Sequence, residues 1–165
     1  EVEGSIIHGY SNKQHDGFLG HSYLSEWVNL GAGTDNSDLK NNYGTVKVCI
    51  NEEMIDSGET FVGLTMGDHS KSSIGTTFNT GTVVGVSCNL FGPGFHPKAI
   101  PAFSWGSPQG YVEYDPSRAL GVAKKVVARR KLEMGKEEQE LFLRVYQLTS
   151  LDRDKENIKK GTLEA

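Results

Sequence analysis

A six-residue spacing runs through the first ninety residues and constrains the fold more than any other feature of the chain. Counting from Ile6, the first positions of successive hexads are Ile6, Asn12, Phe18, Leu24 and Leu30, and the fifth positions are Tyr10, Asp16, Ser22, Val28 and Thr34. The spacing breaks over residues 36–43 and resumes two residues out of phase at Gly44. From there Val48, Met54, Thr60, Met66, Ser72, Phe78, Val84 and Leu90 take the fifth position, all apolar or small hydroxyl residues. First positions now include Ile50, Val62, Ile74, Thr80 and Val86, with Gly44, Asp56 and Asp68 as misfits. A hexad reads as one short strand and one corner: an aliphatic residue points inward, and a glycine or small residue lets the chain turn without a Cβ clash. Three such faces close a triangular coil, and stacked coils bury a continuous column of side chains. The expected body is a mainly β solenoid of about four coils over residues 1–91, with an insertion loop at 35–43. An antiparallel sandwich, with strict alternation and turns every 8–12 residues or so, fits the pattern less well.

Composition agrees with a solenoid that carries an appendage. Glycine stands at 20 of 165 residues, which suits a chain of many corners, and no run approaches the ~20 apolar residues of a membrane helix. The net charge of −4 argues against a nucleic-acid binder. That charge is unevenly placed: residues 1–113 hold 12 acids, 5 bases and no arginine, whereas 114–165 hold 9 acids and 12 bases. Cys49 and Cys88 are too few and too far apart for a disulfide framework or zinc ribbon, and Cys49 is expected to be buried. No signal or transit segment is evident, so the cytoplasm is the default location. Starting in Glu-Val-Glu without an initiator Met, the chain is expected to be a piece of something longer.

Beyond the repeat, residues 92–114 read as an irregular aromatic flap. Asp115 then caps a helix that has Pro116 in its first turn, and Leu120, Ala123 and Val127 give it an apolar side. Gly135 stops it, and a second helix, 136–148, carries Leu141, Val145 and Leu148 on one stripe. This helical hairpin, 115–150, is expected to cap the last coil, and 151–165 to fray.

Two segments carry a family likeness. Lys13-Gln14-His15-Asp16-Gly17-Phe18-Leu19-Gly20 followed by Val28-Asn29-Leu30-Gly31-Ala32-Gly33-Thr34, and Met66-Gly67-Asp68-His69-Ser70-Lys71 running on to Val84-Gly85, resemble the acetyltransferase half of bifunctional sugar-1-phosphate nucleotidyltransferase/acetyltransferases. The second segment looks most like the archaeal and Bacteroidetes-like branch. The resemblance covers roughly residues 5–90. It implies a left-handed parallel β-helix, against the usual right-handed crossover, a homotrimer with sites between subunits, and acetyl transfer from acetyl-CoA to an amino-sugar phosphate. It also implies an N-terminal nucleotidyltransferase domain outside this chain. In the same resemblance His15 matches the catalytic histidine, whose imidazole, with an ordinary pKa near ~6.5, suits a base at neutral pH. Asn29 matches a substrate asparagine. Ala32, beside Gly31, matches a residue whose backbone lines the thioester end of CoA, where N–H groups steady an oxyanion. Phe18 stands where the family has a sugar-phosphate tyrosine, Asp38 near a substrate asparagine with Lys40 after it, and Glu3 where bacterial members have a phosphate-binding lysine.

The remaining polar residues have plainer readings beside sharper ones. His69 is either a CoA-contacting or proton-transfer group or a hydrogen-bonded corner residue, and Asp68 at a nominally inward position marks a bulge or a site. His8, His21 and His96 read as surface or flap residues. His15 and His21 form the one close histidine pair, but one hexad apart they lie on different faces, so no zinc site and no other metal is expected. The cluster Lys124-Lys125 and Arg129-Arg130-Lys131 is a solvated helix face or a clamp for CoA phosphates. A rival to catalysis is a non-catalytic solenoid that trimerises or regulates a nucleotidyltransferase.

Overall fold

The computed structural model describes residues 1–161. Residues 1–107 wind into a parallel β-solenoid of three-sided coils. The first coil carries β1 (Val2–Glu3), β2 (Ile6–Ile7) and β3 (Asn12–Lys13), and the second β4 (Leu19–Gly20), β5 (Tyr23–Leu24) and β6 (Asn29–Leu30). The third opens with β7 (Asp35–Asn36), leaves the solenoid for a hairpin of β8 (Lys47–Ile50) and β9 (Glu53–Asp56), and returns through β10 (Thr65–Met66) and β11 (Lys71–Ser72). The fourth has β12 (Thr77–Phe78), β13 (Val83–Val84) and β14 (Asn89–Leu90). A fifth level has β15 (Ala99–Ile100) and β16 (Ser104–Ser107), onto which β17 (Gly110–Glu113) folds back antiparallel.

Register makes the inward column explicit. Ile7, Leu24, Met66, Val84 and Ile100 are successive partners on the second face, and Lys13, Leu30, Ser72, Leu90 and Gly106 on the third. Two residues before such a strand position comes a second inward one: Val28, Thr34, Leu64, Ser70, Thr76, Thr82 and Cys88 are all buried. Each large apolar side chain so buried contributes about 1.5–3 kcal/mol. The hydroxyls among them are satisfied internally, with Thr34 Oγ1 2.9 Å from Ser72 Oγ and the Ser70 hydroxyl donating to Gly85 O at 2.7 Å.

The hexad reading therefore holds for Met66, Ser72, Phe78, Val84 and Leu90, but the frame resumes at Gly63–Leu64 and not at Gly44. Val48, Met54 and Thr60 belong to an excursion over residues 38–62, much longer than the expected loop, and Met54 is exposed. Six is a multiple of two, so the alternation of an ordinary hairpin imitates the hexad period. Cys49 accordingly lies half-buried on β8, while Cys88 sits in the core. Ile74 is exposed, as is Asp68, whose carboxylate accepts the Glu26 N–H at 2.8 Å. Nor is 92–114 irregular: β15 and β16 continue the ladder from β13 and β14 although the side-chain spacing has lapsed.

At the corner between the second and third faces, Tyr10, Trp27, His69, Ser87 and Phe103 all adopt positive φ, between 55° and 62°. A left-handed conformation costs a residue with a Cβ roughly 1–2 kcal/mol. Stacking offsets it: Tyr10 lies on Trp27 at 4.1 Å, and Trp27 lies parallel to His69 at 6.0 Å. The helices α1 (Pro116–Ala128), α2 (Lys136–Leu148) and α3 (Ser150–Lys155) build on that ladder. Asp115 caps α1 by accepting the Arg118 N–H at 2.8 Å, and Gly135 is the N-cap of α2, its N–H donating to Glu138 Oε2 at 2.7 Å. Phe142 of α2 meets the edges of His69 and Phe103 at 5.6 and 5.1 Å, whereas Leu141 and Leu148 face solvent. Both stripes of α2 are periodic, and the aromatic corner selects the one with Phe142 and Tyr146.

The hairpin of helices lies along the flank of the solenoid instead of closing its end: Arg130 Nη2 donates to Asn12 Oδ1 in the first coil at 3.1 Å. The stretch expected to fray is anchored, with Arg153 and Ile158 buried and the Glu113 N–H donating to Lys159 O at 2.9 Å. Residues 162–165 lie outside the described residues. Among those described, no helix is long and apolar enough to cross a membrane.

Candidate active site

His15 sits where the chain rounds from the third face of one coil to the first face of the next. Lys13 occupies an inward position at the open first coil, and its amine turns back to donate to the carbonyls of His15 and Asp16 at 2.7 and 2.5 Å. This pins the turn and leaves the His15 side chain exposed, with no side-chain hydrogen bond among the described residues. One level on, Gly31-Ala32-Gly33-Thr34 rounds the same corner: the Gly33 N–H donates to Asp16 O at 3.0 Å, and the Gly75 N–H to Ala32 O at 2.8 Å. Gly31 is required by packing, because a Cβ there would lie 2.5 Å from the Ser73 carbonyl carbon. Asn29 and Phe18 flank the corner. Asn29 is exposed on β6 in register with Asn12 and Lys71, and the Phe18 N–H donates to Asp35 Oδ1 at 2.5 Å. The structure thus gathers His15, Phe18, Asn29, Gly31 and Ala32 around one corner.

Asp38 joins them through Phe18. A Cβ on Gly20 would stand 2.3 Å from the Phe18 ring and 2.4 Å from Asp38 Oδ2, so both crowd the space over that glycine. Asp38 is buried, and its Oδ2 is 2.7 Å from His21 Nδ1, with Glu3 Oε1 4.0 Å from the same nitrogen. Sequence reasoning left His21 on the surface. The missed signal was its spacing from Asp38: 17 residues, the length of one coil.

Two expected participants lie apart from this group. Lys40 donates to Thr45 O at 2.9 Å and lines a separate concavity of about 440 Å³ with Asn79 and Phe95. His69 is on another corner, between Trp27 and Phe142; burial first, and Lys71 second, push its pKa down to about 4. The Lys71 amine donates to His69 O at 2.8 Å, and burial lowers its pKa to about 8. Both line a cavity of about 150 Å³ beneath α1 with Asn89 and Tyr114. The basic residues of the α1 end are exposed, and Arg130, through Asn12, shares the face that carries Asn29. A groove of about 530 Å³ runs between the β8–β9 hairpin, Val83, Ala99 and α3, where Lys155 pairs with Glu52; none of the expected site residues lines it.

An exposed imidazole is equipped to take a proton from a bound nucleophile, and beside it the Ala32 N–H is the one in its turn not already donated among the described residues, since those of Gly31, Gly33 and Thr34 go to Ser72 O, Asp16 O and Gly31 O. No family model matches the chain. It is 33% identical over 91 residues to the bifunctional sugar-1-phosphate nucleotidylyltransferase/acetyltransferase of Sulfurisphaera tokodaii, covering 55% of this chain and 23% of that protein. It is likewise 33% identical over 88 residues to the bifunctional protein GlmU of Methanocaldococcus jannaschii, and over 85 residues to that of Methanococcus aeolicus. Those matches cover 53% and 52% of this chain, and it spans about a fifth of the length of each relative, 21% and 20%. Over about half of its length, this β-solenoid chain is similar to bifunctional sugar-1-phosphate nucleotidyltransferase/acetyltransferases.

Proposed function

We propose that the chain is the acetyl-CoA-dependent N-acetyltransferase part of a larger sugar-1-phosphate nucleotidyltransferase, acting on an amino-sugar 1-phosphate or a nucleotide-linked amino sugar. The observation that carries this reading is the placing of His15 and the Gly31–Thr34 turn on adjacent levels of one corner. The names of the three relatives support the same class of chemistry. His15 takes a proton from the acceptor amine as it attacks the thioester carbonyl, and that proton leaves with the thiol. The Ala32 N–H, the one in the Gly31–Thr34 turn with no acceptor among the described residues, steadies the carbonyl oxygen. Asn29, Phe18 and Asp38 hold the acceptor, and juxtaposition replaces any covalent intermediate. A neighbouring copy in a homotrimer completes the site. His69, half-buried on another corner, and Lys40, held by Thr45, stay outside the reacting set.

A second reading, a non-catalytic scaffold for a nucleotidyltransferase, is favoured by one observation: the Asp38 carboxylate crowds the same glycine as Phe18, with Glu3 near it beside His21, where a phosphate would have to bind. Thiol release from acetyl-CoA, with glucosamine 1-phosphate and related amino-sugar phosphates as acceptors, decides between them. Acceptor-dependent release that drops about 10²-fold or more in His15→Ala supports the enzyme. No release with any acceptor, and no CoA binding at millimolar concentration, leaves the scaffold.

A further inference from the structure

At the corner between the first and second faces, one ligand-capable side chain arrives from each of three successive levels. Glu3 ends β1, His21 follows one coil later, and Asp38 one coil after that. Glu3 Oε1, His21 Nδ1 and a carboxylate oxygen of Asp38 all lie within 4.8 Å of one another. Their spacing is set by the ladder: the His21 N–H donates to Glu3 O at 3.1 Å, the Gly63 N–H to His21 O at 2.8 Å, and the Val62 N–H to Asp38 O at 2.9 Å. Gly4 lies directly against the His21 ring, where a Cβ would come within 2.8 Å, and Phe61 covers the ring at 5.1 Å.

Charge is unbalanced here. Among the described residues neither Glu3 nor Asp38 pairs with a lysine or arginine; His21 is the one basic group beside both. Asp38 is only 8% exposed, where a carboxylate charge is costly unless it is paired. One imidazole nitrogen and two carboxylate oxygens make a donor set for first-row divalent metals.

We propose that Glu3, His21 and Asp38 form a binding site for a divalent transition-metal ion of the Zn²⁺, Co²⁺ or Mn²⁺ class. The ion binds His21 Nδ1 between the two carboxylates and neutralises both. Three protein ligands leave further positions for oxygen donors. Because Phe18 crowds the same Gly20 as Asp38, those positions adjoin the proposed acceptor site, where a phosphate oxygen is the fitting ligand; that last step rests on the acetyltransferase reading, and the metal site itself does not.

Calorimetric titration of the metal-free chain with Zn²⁺ and Mn²⁺, together with the visible absorption of a Co²⁺ form, tests the site with no acceptor or CoA present. One ion per chain is expected. His21→Gln and Asp38→Asn should each weaken binding at least about tenfold, the size of effect seen even for groups that only support a ligand, and a His8→Gln control should bind as the parent does. Glu3 is half exposed, so Glu3→Gln tests the third ligand without disturbing the core. Absence of saturable binding below millimolar metal, or binding that survives His21→Gln and Glu3→Gln unchanged, overturns the assignment. Either outcome leaves the thiol-release assay free to succeed or fail by itself.

Discussion

Arg153→Met is expected to destabilise the protein by about 3–5 kcal/mol, because it strands a buried charge and does not merely lose contacts. The Arg153 side chain is 1% exposed. Its Nε donates to Glu113 Oε2 at 3.2 Å, Nη1 to Thr149 Oγ1 at 2.8 Å and Ala102 O at 3.2 Å, and Nη2 to Tyr146 O at 2.8 Å. The guanidinium also lies 4.3 Å from the Tyr146 ring centroid. Methionine keeps much of the stem packing but leaves Glu113, with 12% of its side chain exposed, holding only the Tyr146 hydroxyl at 2.9 Å. Adding Glu113→Gln removes the stranded charge, so the double variant should lose only about 1–3 kcal/mol, the net worth of the broken hydrogen bonds. Urea unfolding followed by the fluorescence of Trp27 and Trp105 reads this directly. With a slope of ~1–3 kcal/mol/M, the single change moves the midpoint down by roughly 1–5 M, and the double change moves it less. A single variant within about 1 kcal/mol of the parent, or a double variant no better than the single, would refute the charge argument.

Gly31→Ala forces a methyl against the next coil and should cost about 1–3 kcal/mol, seen as a lower melting temperature; on the proposed function, acetyl transfer falls alongside. Stability should also decline as pH falls from about 6.5 towards 4. His69 and His96, each held near 4 by burial, bind fewer protons folded than unfolded in that window. His69→Phe should flatten part of that decline in acid titrations. Lys71, with a folded pKa of about 8, has the same sign at the alkaline end: stability should rise between pH 8 and about 10.5, and Lys71→Met should abolish the rise.

Much of this architecture was legible because each corner of a solenoid makes the same local demand. Inward residues recur at Met66, Ser72, Phe78, Val84 and Leu90, since a strand of fixed length must meet a turn of fixed length. The two long helices were legible for a similar reason: Asp115 with Pro116, and Gly135 followed by Glu138, are local chemistry acting over a few residues. The string around His15 and Ala32 is equally local, and it sets these two residues on adjacent levels of one corner, with Asn29 on the strand that leads into it.

The repeat, its glycine turns and the capped helices depend on neighbours a few residues apart, so they are written in the order of the residues alone. The folded chain settles the features that depend on stacking across coils. It set the 38–62 excursion apart from the repeat, because self-pairing of β8 with β9 outweighs an imitated period. It turned Trp27, His69 and Phe103 into left-handed corner residues whose rings seat α2, at a backbone cost that no single residue type announces. It buried Arg153 in a tail whose composition suggested fraying. And it drew Glu3, His21 and Asp38 into one cluster, because residues one coil apart become neighbours only when the parallel ladder closes.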